Sequence, residues 1–338
     1  MNLNILWFVL ICVFYSAFFF LEGFDFGVGM LLPVIAKKDT ERRAMINTIG
    51  PHWDGNEVWL VVAGGATFAV FPNWYATMFS GFYIGMFLLL IALIFRGVAF
   101  EFRSKVGNPK WRYSWDMAIA VSSFLASFLL GVVFTNLVKG VPIDSNQVFT
   151  GNFLTLLNPL SLFGGLAVVG LFLLNGVNFL GIKLLDNLRE RTASLAGKIW
   201  NLGFVFIVLF LGFLTFTTPV YKDKGFAPLI FPVLVVILLI LTRVFMLQKK
   251  GGFSFAFTGL AIVCLVAGFF AVLYPNVMIS STSAANNLTI YNAAASPYAL
   301  RTMTILSAFL VPIVIGYQIW TYRVFRQRIK ADPESLVY

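Results

Sequence analysis

Histidine is almost absent from this 338-residue chain, occurring once, at position 52. That excludes a bis-histidine haem, and a single-ligand haem would need His52 or one of the nine methionines. Cysteine is nearly as scarce: Cys12 and Cys264 lie within apolar runs, and no C-x-x-C or C-x-x-C-H occurs. Disulfides, bound zinc and covalent haem are therefore unsupported. Charged residues make up only 11% of the chain, against 59% apolar residues and a mean hydropathy of +0.88. Soluble domains carry roughly 25% charge, so this is the composition of a polytopic membrane protein. Heptads, low-complexity tracts and clear internal repeats are also missing.

What is present is a series of apolar runs. At about 20 residues per crossing, candidate spans lie near 5–32, 52–72, 75–97, 114–138, 158–182, 199–219, 227–247, 253–275 and 302–324, about nine helices. The first run has no basic flank before it and no small-residue cleavage site after it, and it stays apolar through Phe24, Phe26 and Val28, so it reads as a spanning helix and not as a signal peptide.

Basic residues set the expected orientation. Lys37, Lys38, Arg42 and Arg43 follow the first helix, and Arg96, Arg103, Lys105, Lys110 and Arg112 surround the turn after the third. Further groups stand at Lys183, Arg189, Arg191 and Lys198, at Arg243, Lys249 and Lys250, and at Arg323, Arg326, Arg328 and Lys330. Twenty of the 24 basic residues thus fall on one face, leaving Lys139, Lys222, Lys224 and Arg301 on the other. The positive-inside rule puts the N-terminus outside and the C-terminus in the cytoplasm. The net charge of +10 is then a topology signal spread over loops that face an anionic leaflet, with no call for nucleic acid. Two polar connections, 139–157 and 276–301, read as external loops. They divide the chain into a first four-helix bundle (1–138), a second bundle (158–275) and a last helix with a cytoplasmic tail (302–338).

The carboxylates are the functional signal. Glu22 and Asp25 lie inside the first span, and Asp54 and Glu57 enter the second. A charged side chain at the bilayer centre costs roughly 2.5–3.5 kcal/mol on insertion scales, so such groups usually face a bundle interior or a wet cavity. Each pair is spaced by three residues and can share a helix face. Glu101 ends the third helix and Asp116 opens the fourth, so all six acids sit in the basic half of the first four helices. This asymmetry points to a proton or cation entrance from the cytoplasm. The bland reading is that acids pair with Arg96 or Arg103 and hold helices together. For Glu101 and Asp116, nearest the interface, an ion pair with Arg103 or Arg112 is the favoured role. His52, beside Asp54, reads first as a donor to a helix-end carbonyl and second as a charge on a proton route. The glycines from Gly23 to Gly29, with Gly64, Gly65, Gly164 and Gly165, read as sites of close helix approach. Trp7, Trp53, Trp59, Trp74 and Trp111 read as interfacial residues.

Three motifs carry a family resemblance. They are Glu22-Gly23-Phe24-Asp25-Phe26-Gly27-Val28-Gly29-Met30-Leu31, Asp39-Thr40-Glu41-Arg42-Arg43, and Ile49-Gly50-Pro51-His52-Trp53-Asp54-Gly55-Asn56-Glu57-Val58-Trp59-Leu60. In words and spacing the chain resembles subunit II of the bacterial cytochrome bd quinol oxidases. Further matching stretches follow at 79–83, 95–105, 111–116, 150–159 and 280–282, and in the tail from Val311.

The resemblance implies an all-α integral membrane protein of two four-helix bundles plus one peripheral helix, in the bacterial cytoplasmic membrane. It also implies a partner, subunit I, that holds two haems b and one haem d, or a further haem b in its place, while this chain ligates none. The reaction implied is oxidation of quinol and reduction of dioxygen to water, with protons taken from the cytoplasm. By the same resemblance Asp25, Asp54 and Glu101 line the proton path, with Glu22, His52, Glu57 and Arg96 as secondary candidates. A structural quinone in an apolar cleft, lipid contacts and a small single-helix accessory subunit are compatible with it. Two other classes stay open on the residues alone: a proton- or cation-coupled secondary transporter, and a purely structural partner subunit.

Overall fold

The computed structural model describes residues 2–218, 224, 225, 227–332 and 336. Lys222, assigned above to the external face, lies outside the described residues. The elements are α1 (Leu3–Ile35), α2 (Asp39–Ile49), α3 (Trp53–Val70), α4 (Pro72–Gly81), α5 (Tyr83–Phe102), α6 (Pro109–Lys139), α7 (Phe153–Leu156), α8 (Pro159–Lys183), α9 (Asp186–Thr217), α10 (Ile230–Leu247), α11 (Gly251–Leu273) and α12 (Pro297–Val324). Three long helices start with one device: Asn108, Asn158 and Ser296 accept from backbone N–H groups of the first turn, and proline follows at the first helical position. Proline costs nothing there, because that N–H has no intrahelical acceptor.

Among the described residues, eight helices are long and apolar enough to cross a membrane. Helix α3 falls outside that set because Asp54, Asn56 and Glu57 crowd its first turns. Its 18 residues still reach about 27 Å at 1.5 Å per residue. Its start follows the basic α1–α3 connection, and at its far end the Val70 carbonyl accepts from Ala295 N at 2.8 Å, in the loop before α12. The chain is thus an all-α membrane protein, with one two-stranded ribbon (Asn276–Met278 and Leu288–Thr289) at the end opposite the basic loops.

Several expected boundaries move. The span expected at 75–97 is two helices that meet at Phe82. Helix α4 lies among the polar loops, where Thr77 Oγ1 donates to the Gln147 carbonyl at 2.7 Å, and α5 makes the crossing. A Cβ on Gly81 would stand 2.8 Å from Phe149, so glycine lets the loop press into the bend. Helices α6 and α9 begin at 109 and 186, earlier than 114 and 199, which places Arg189, Arg191 and Lys198 on a helix. The segment 39–49, expected as a loop, is the amphipathic helix α2. The external connections hydrogen-bond to each other, Ser280 Oγ to the Ile143 carbonyl at 2.9 Å, and α12 begins at 297, inside the stretch given to the second loop.

The core sits where α1, α6, α8 and α11 meet. Phe19 of α1 stands 4.9 Å from Phe134 and 5.7 Å from Phe172, and Phe134 stands 6.1 Å from Phe269, ring centre to ring centre. Glycines bring backbones together around α8. A Cβ on Gly176 would sit 2.6 Å from the Gly27 Cα, and one on Gly131 would sit 2.7 Å from the Gly165 Cα. Dispersion contact between closely approached backbones drives helix association in lipid. Gly64 and Gly65, by contrast, have nothing within 4 Å of their missing Cβ and bring no helices of this chain together. Trp7, Trp59 and Trp74 are likewise buried inside the protein and are not interfacial belt residues.

Candidate functional site

The inner half of α1 faces α3 and α5, and the polar residues converge there. Glu22 is fully buried and ion-paired to Arg96 of α5, itself fully buried. Glu57 of α3 stands 3.5 Å from the same Arg96 Nη1. The guanidinium lies over two rings, 4.7 Å from the centre of Phe26 and 5.4 Å from that of Phe100. Rings on its flat faces leave the edge of the fork for carboxylates. Arg96 Nε and Nη2 and Glu22 Oε2 are buried with no hydrogen-bond partner, so the site has unfilled polar capacity.

Asp25, one turn further along α1, is fully buried and accepts from Asn56 Nδ2 at 2.7 Å through Oδ2, while Oδ1 is unpaired. The side-chain carbonyl of Asn56 accepts in turn from Gln318 Nε2 at 2.7 Å and from the Tyr322 hydroxyl at 2.9 Å, both of α12. The His52 ring stacks on Tyr322, centres 4.3 Å apart, with its Nδ1 buried and unpaired. His52 is thus held by stacking, and its Nδ1 makes no bond to a helix-end carbonyl.

The expected site residues therefore separate into two groups. Glu22, Asp25 and Arg96 come together in the interior with half-buried Glu57 at their edge, and His52 connects to Asp25 through Tyr322 and Asn56. Asp54 and Glu101 do not join them: both are exposed on the outer side of α3 and α5. Asp54 and Glu57, spaced to share a face, diverge, since Asp54 only accepts from the adjacent Gly55 N–H at 2.7 Å. Glu101 has no ion pair among the described residues. Asn56, Gln318 and Tyr322 were missed by the sequence reading. The available signal was an amide between two acids, and two hydrogen-bonding side chains four apart near the end of the last helix.

Closer to the basic surface, a second cluster closes the α5–α6 turn. Arg103 donates from Nε to Asp116 Oδ1 at 2.6 Å and from Nη2 to Asp39 Oδ1 at 2.6 Å. Arg112 reaches Asp39 Oδ2 at 2.8 Å, and Arg42 reaches Asp116 Oδ2 at 3.2 Å. Asp116 thus has the arginine partner expected of it, in a buried pair. Partial burial pushes the Asp39 carboxyl up, but the hydrogen bond and charge of Arg103, with the charge of Arg112, outweigh it and hold the group below its usual range. Glu41 of α2 pairs with Arg191 of α9 and accepts from the backbone N–H groups of Lys37 and Lys38. Helix α2 therefore clamps the end of α1 to the start of α9.

An apolar cleft of about 590 Å³ opens between α3, α4, α5 and α6, lined among others by Leu60, Trp74, Met78, Tyr83, Met86 and Phe134.

Known proteins resemble this chain over its whole length. The family model described as cytochrome bd terminal oxidase subunit II matches residues 3–325. The cytochrome bd ubiquinol oxidase subunit 2 of Bacillus subtilis is 43% identical over 337 residues, covering 100% of this chain and 99% of the relative. The cytochrome bd-I ubiquinol oxidase subunit 2 of Escherichia coli K12 is 36% identical over 372 residues, covering 99% and 98%. A chain of the bd oxidase from Geobacillus thermodenitrificans superposes with a TM-score of 0.78 over 96% of this chain and 99% of that one, at 18% identity, which shows a common fold. A multi-pass bacterial membrane protein, matched from end to end in sequence and fold, the chain belongs to the cytochrome bd terminal oxidase subunit II family.

Proposed function

We propose that this chain pairs with a haem-bearing subunit I, ligates no haem itself, and lines the path by which cytoplasmic protons reach the oxygen-reducing haem during quinol oxidation. The observation that carries this reading is the polar array of buried Glu22, Asp25, Asn56 and Arg96 with half-buried Glu57 beside them. Two of the carboxyl groups, Glu22 and Glu57, face one guanidinium, and the third, Asp25, is bonded to Asn56 beside Glu57 on α3. Asp54 and Glu101 stand outside this array on neighbouring helices, where a subunit I surface would cover them and join them to it.

When bound by subunit I, the haems supply the oxygen chemistry. This chain's own residues hold protonatable groups in line across the basic half of the membrane and exclude bulk water around them. The cleft of about 590 Å³ has the size and apolar lining of a small-molecule site, and suits a structural quinone. In the membrane the two four-helix units, 1–138 and 158–275, would act as one body, with α12 on its flank.

The subunit reading is tested by reduced-minus-oxidised spectra of the protein purified alone and with its co-expressed partner. Haem bands in the complex only are expected, and bands in the isolated chain would overturn the assignment. The proton role is tested by Asp54→Asn, which is expected to keep the haem spectrum while lowering quinol oxidase turnover and proton uptake. An assembled variant with unchanged turnover and uptake removes Asp54 from the path.

A further inference from the structure

A second cavity, of about 450 Å³, lies between α12 and the α1 and α11 helices of the body. Its floor is a row of rings: Phe20 and Phe24 of α1 stand 5.5 Å and 5.7 Å from Phe255 of α11. Ile319 and Tyr322 of α12 form its wall, and its basic end is closed by Arg323 and Arg326. Both arginines are exposed, and neither has an ion-pair or hydrogen-bond partner among the described residues. The cavity runs along α12 from Gln318 to Arg323, about 8 Å at 1.5 Å per residue, with Arg326 just past the helix end.

We infer that this groove is a specific site for an anionic phospholipid of the leaflet on the basic side, with an acyl chain on Phe20, Phe24, Phe255 and Ile319 and the phosphate on Arg323 and Arg326. Three features select this ligand. The lining is apolar over its length, so a chain enters without stranding polar groups. The two free guanidinium groups stand at one end only, matching a molecule with one charged head. The end they occupy is the basic end, where anionic headgroups gather around juxtamembrane arginines. A neutral isoprenoid fits the lining but leaves both arginines without an anion. Tyr322 lines the groove and also donates to Asn56, so the bound lipid abuts the hydrogen bonds that reach Asp25. The site itself depends only on the membrane setting of the chain and not on the proton role.

The test is native mass spectrometry of the purified full-length protein, in whatever assembly it forms, titrated with phosphatidylglycerol and with phosphatidylethanolamine of matched chains. One tightly held phosphatidylglycerol per chain is expected, with phosphatidylethanolamine held roughly tenfold or more less tightly. Arg323→Gln with Arg326→Gln should abolish that preference, and Ile319→Trp, which fills the groove and keeps both arginines, should expel the lipid. Equal retention of the two lipids by the native protein overturns the proposal, and that arm needs no variant to fold. So does selective phosphatidylglycerol binding that survives Ile319→Trp, because it would reduce the site to surface attraction.

Discussion

Arg96 places one guanidinium between two carboxyl groups, Glu22 and Glu57, with two of its nitrogens unpaired. Breaking a buried ion pair from one side typically costs about 3–5 kcal/mol, so Glu22 and Arg96 hold the site's geometry whatever else they do. Glu41 shows the same chemistry outside the membrane. Slight burial raises its carboxyl, but Arg191 and the N–H groups of Lys37 and Lys38 bring it below the ordinary 4.5. A carboxyl with a depressed folded-state pKa contributes stability above its unfolded value and loses it as pH falls through the folded value. Glu41→Gln should therefore lower the apparent melting temperature of the purified protein near neutral pH, and the gap from the parent should close below the usual carboxylate range. A gap that persists in acid would assign the loss to packing.

Among the elements, α8 shows how the helices hold together without water to drive them. Gly176→Val would put a branched side chain where a Cβ alone would come within 2.6 Å of the Gly27 Cα, so α1 and α8 must part. A loss of at least about 2–3 kcal/mol is expected, read as a collapse in membrane yield and melting temperature. Gly64→Ala, with nothing within 4 Å, should leave both unchanged. Crossing helices were legible in the sequence because apolar length alone marks them, and eight or nine long runs leave few alternatives. The bend at Phe82 was not legible, because its cause is Phe149 pressing from a loop far along the chain. Helix α2 was hidden by its charge: hydropathy reads a polar amphipathic helix at the membrane surface as a loop. Helix α12 touches the body along one narrow stripe, tied at one end by Trp7 Nε1 donating to Thr304 Oγ1 at 2.9 Å and at the other by Gln318 and Tyr322 on Asn56.

At the scale of the whole molecule, the outer side of α3 and α5 is one of several exposed apolar faces, with those of α9, α10 and α12. Val58, Val61 and Phe68 are exposed on one helix and Phe87, Leu90, Ile94 and Val98 on the other, with Asp54 and Glu101 at their basic ends. A carboxylate on such a face is costly against lipid and useful against a protein surface. Cysteines placed at Val61 and Ile94 should cross-link to subunit I in native membranes, and cysteine at Phe309 of α12, exposed on the flank, should not. The reverse pattern would move the interface. The interior part of the candidate site was legible in the sequence, since acids inside an apolar span have few places to point. The division between half-buried Glu57 and exposed Asp54 was not, because a three-residue spacing leaves the two side chains about 60° apart around the helix, and the packing of α5 decides which one turns inward.

Asp25 carries the central claim most directly, being fully buried, bonded through Asn56 to α12, and replaceable by an amide of nearly the same shape. Proton uptake and quinol oxidase turnover of the assembled complex bearing Asp25→Asn should fall to about a hundredth or less, the size of a lost proton-transfer group, while the haem spectrum stays that of the parent. A complex with full haem content and undiminished uptake and turnover would contradict the account and leave the buried acids as a structural framework.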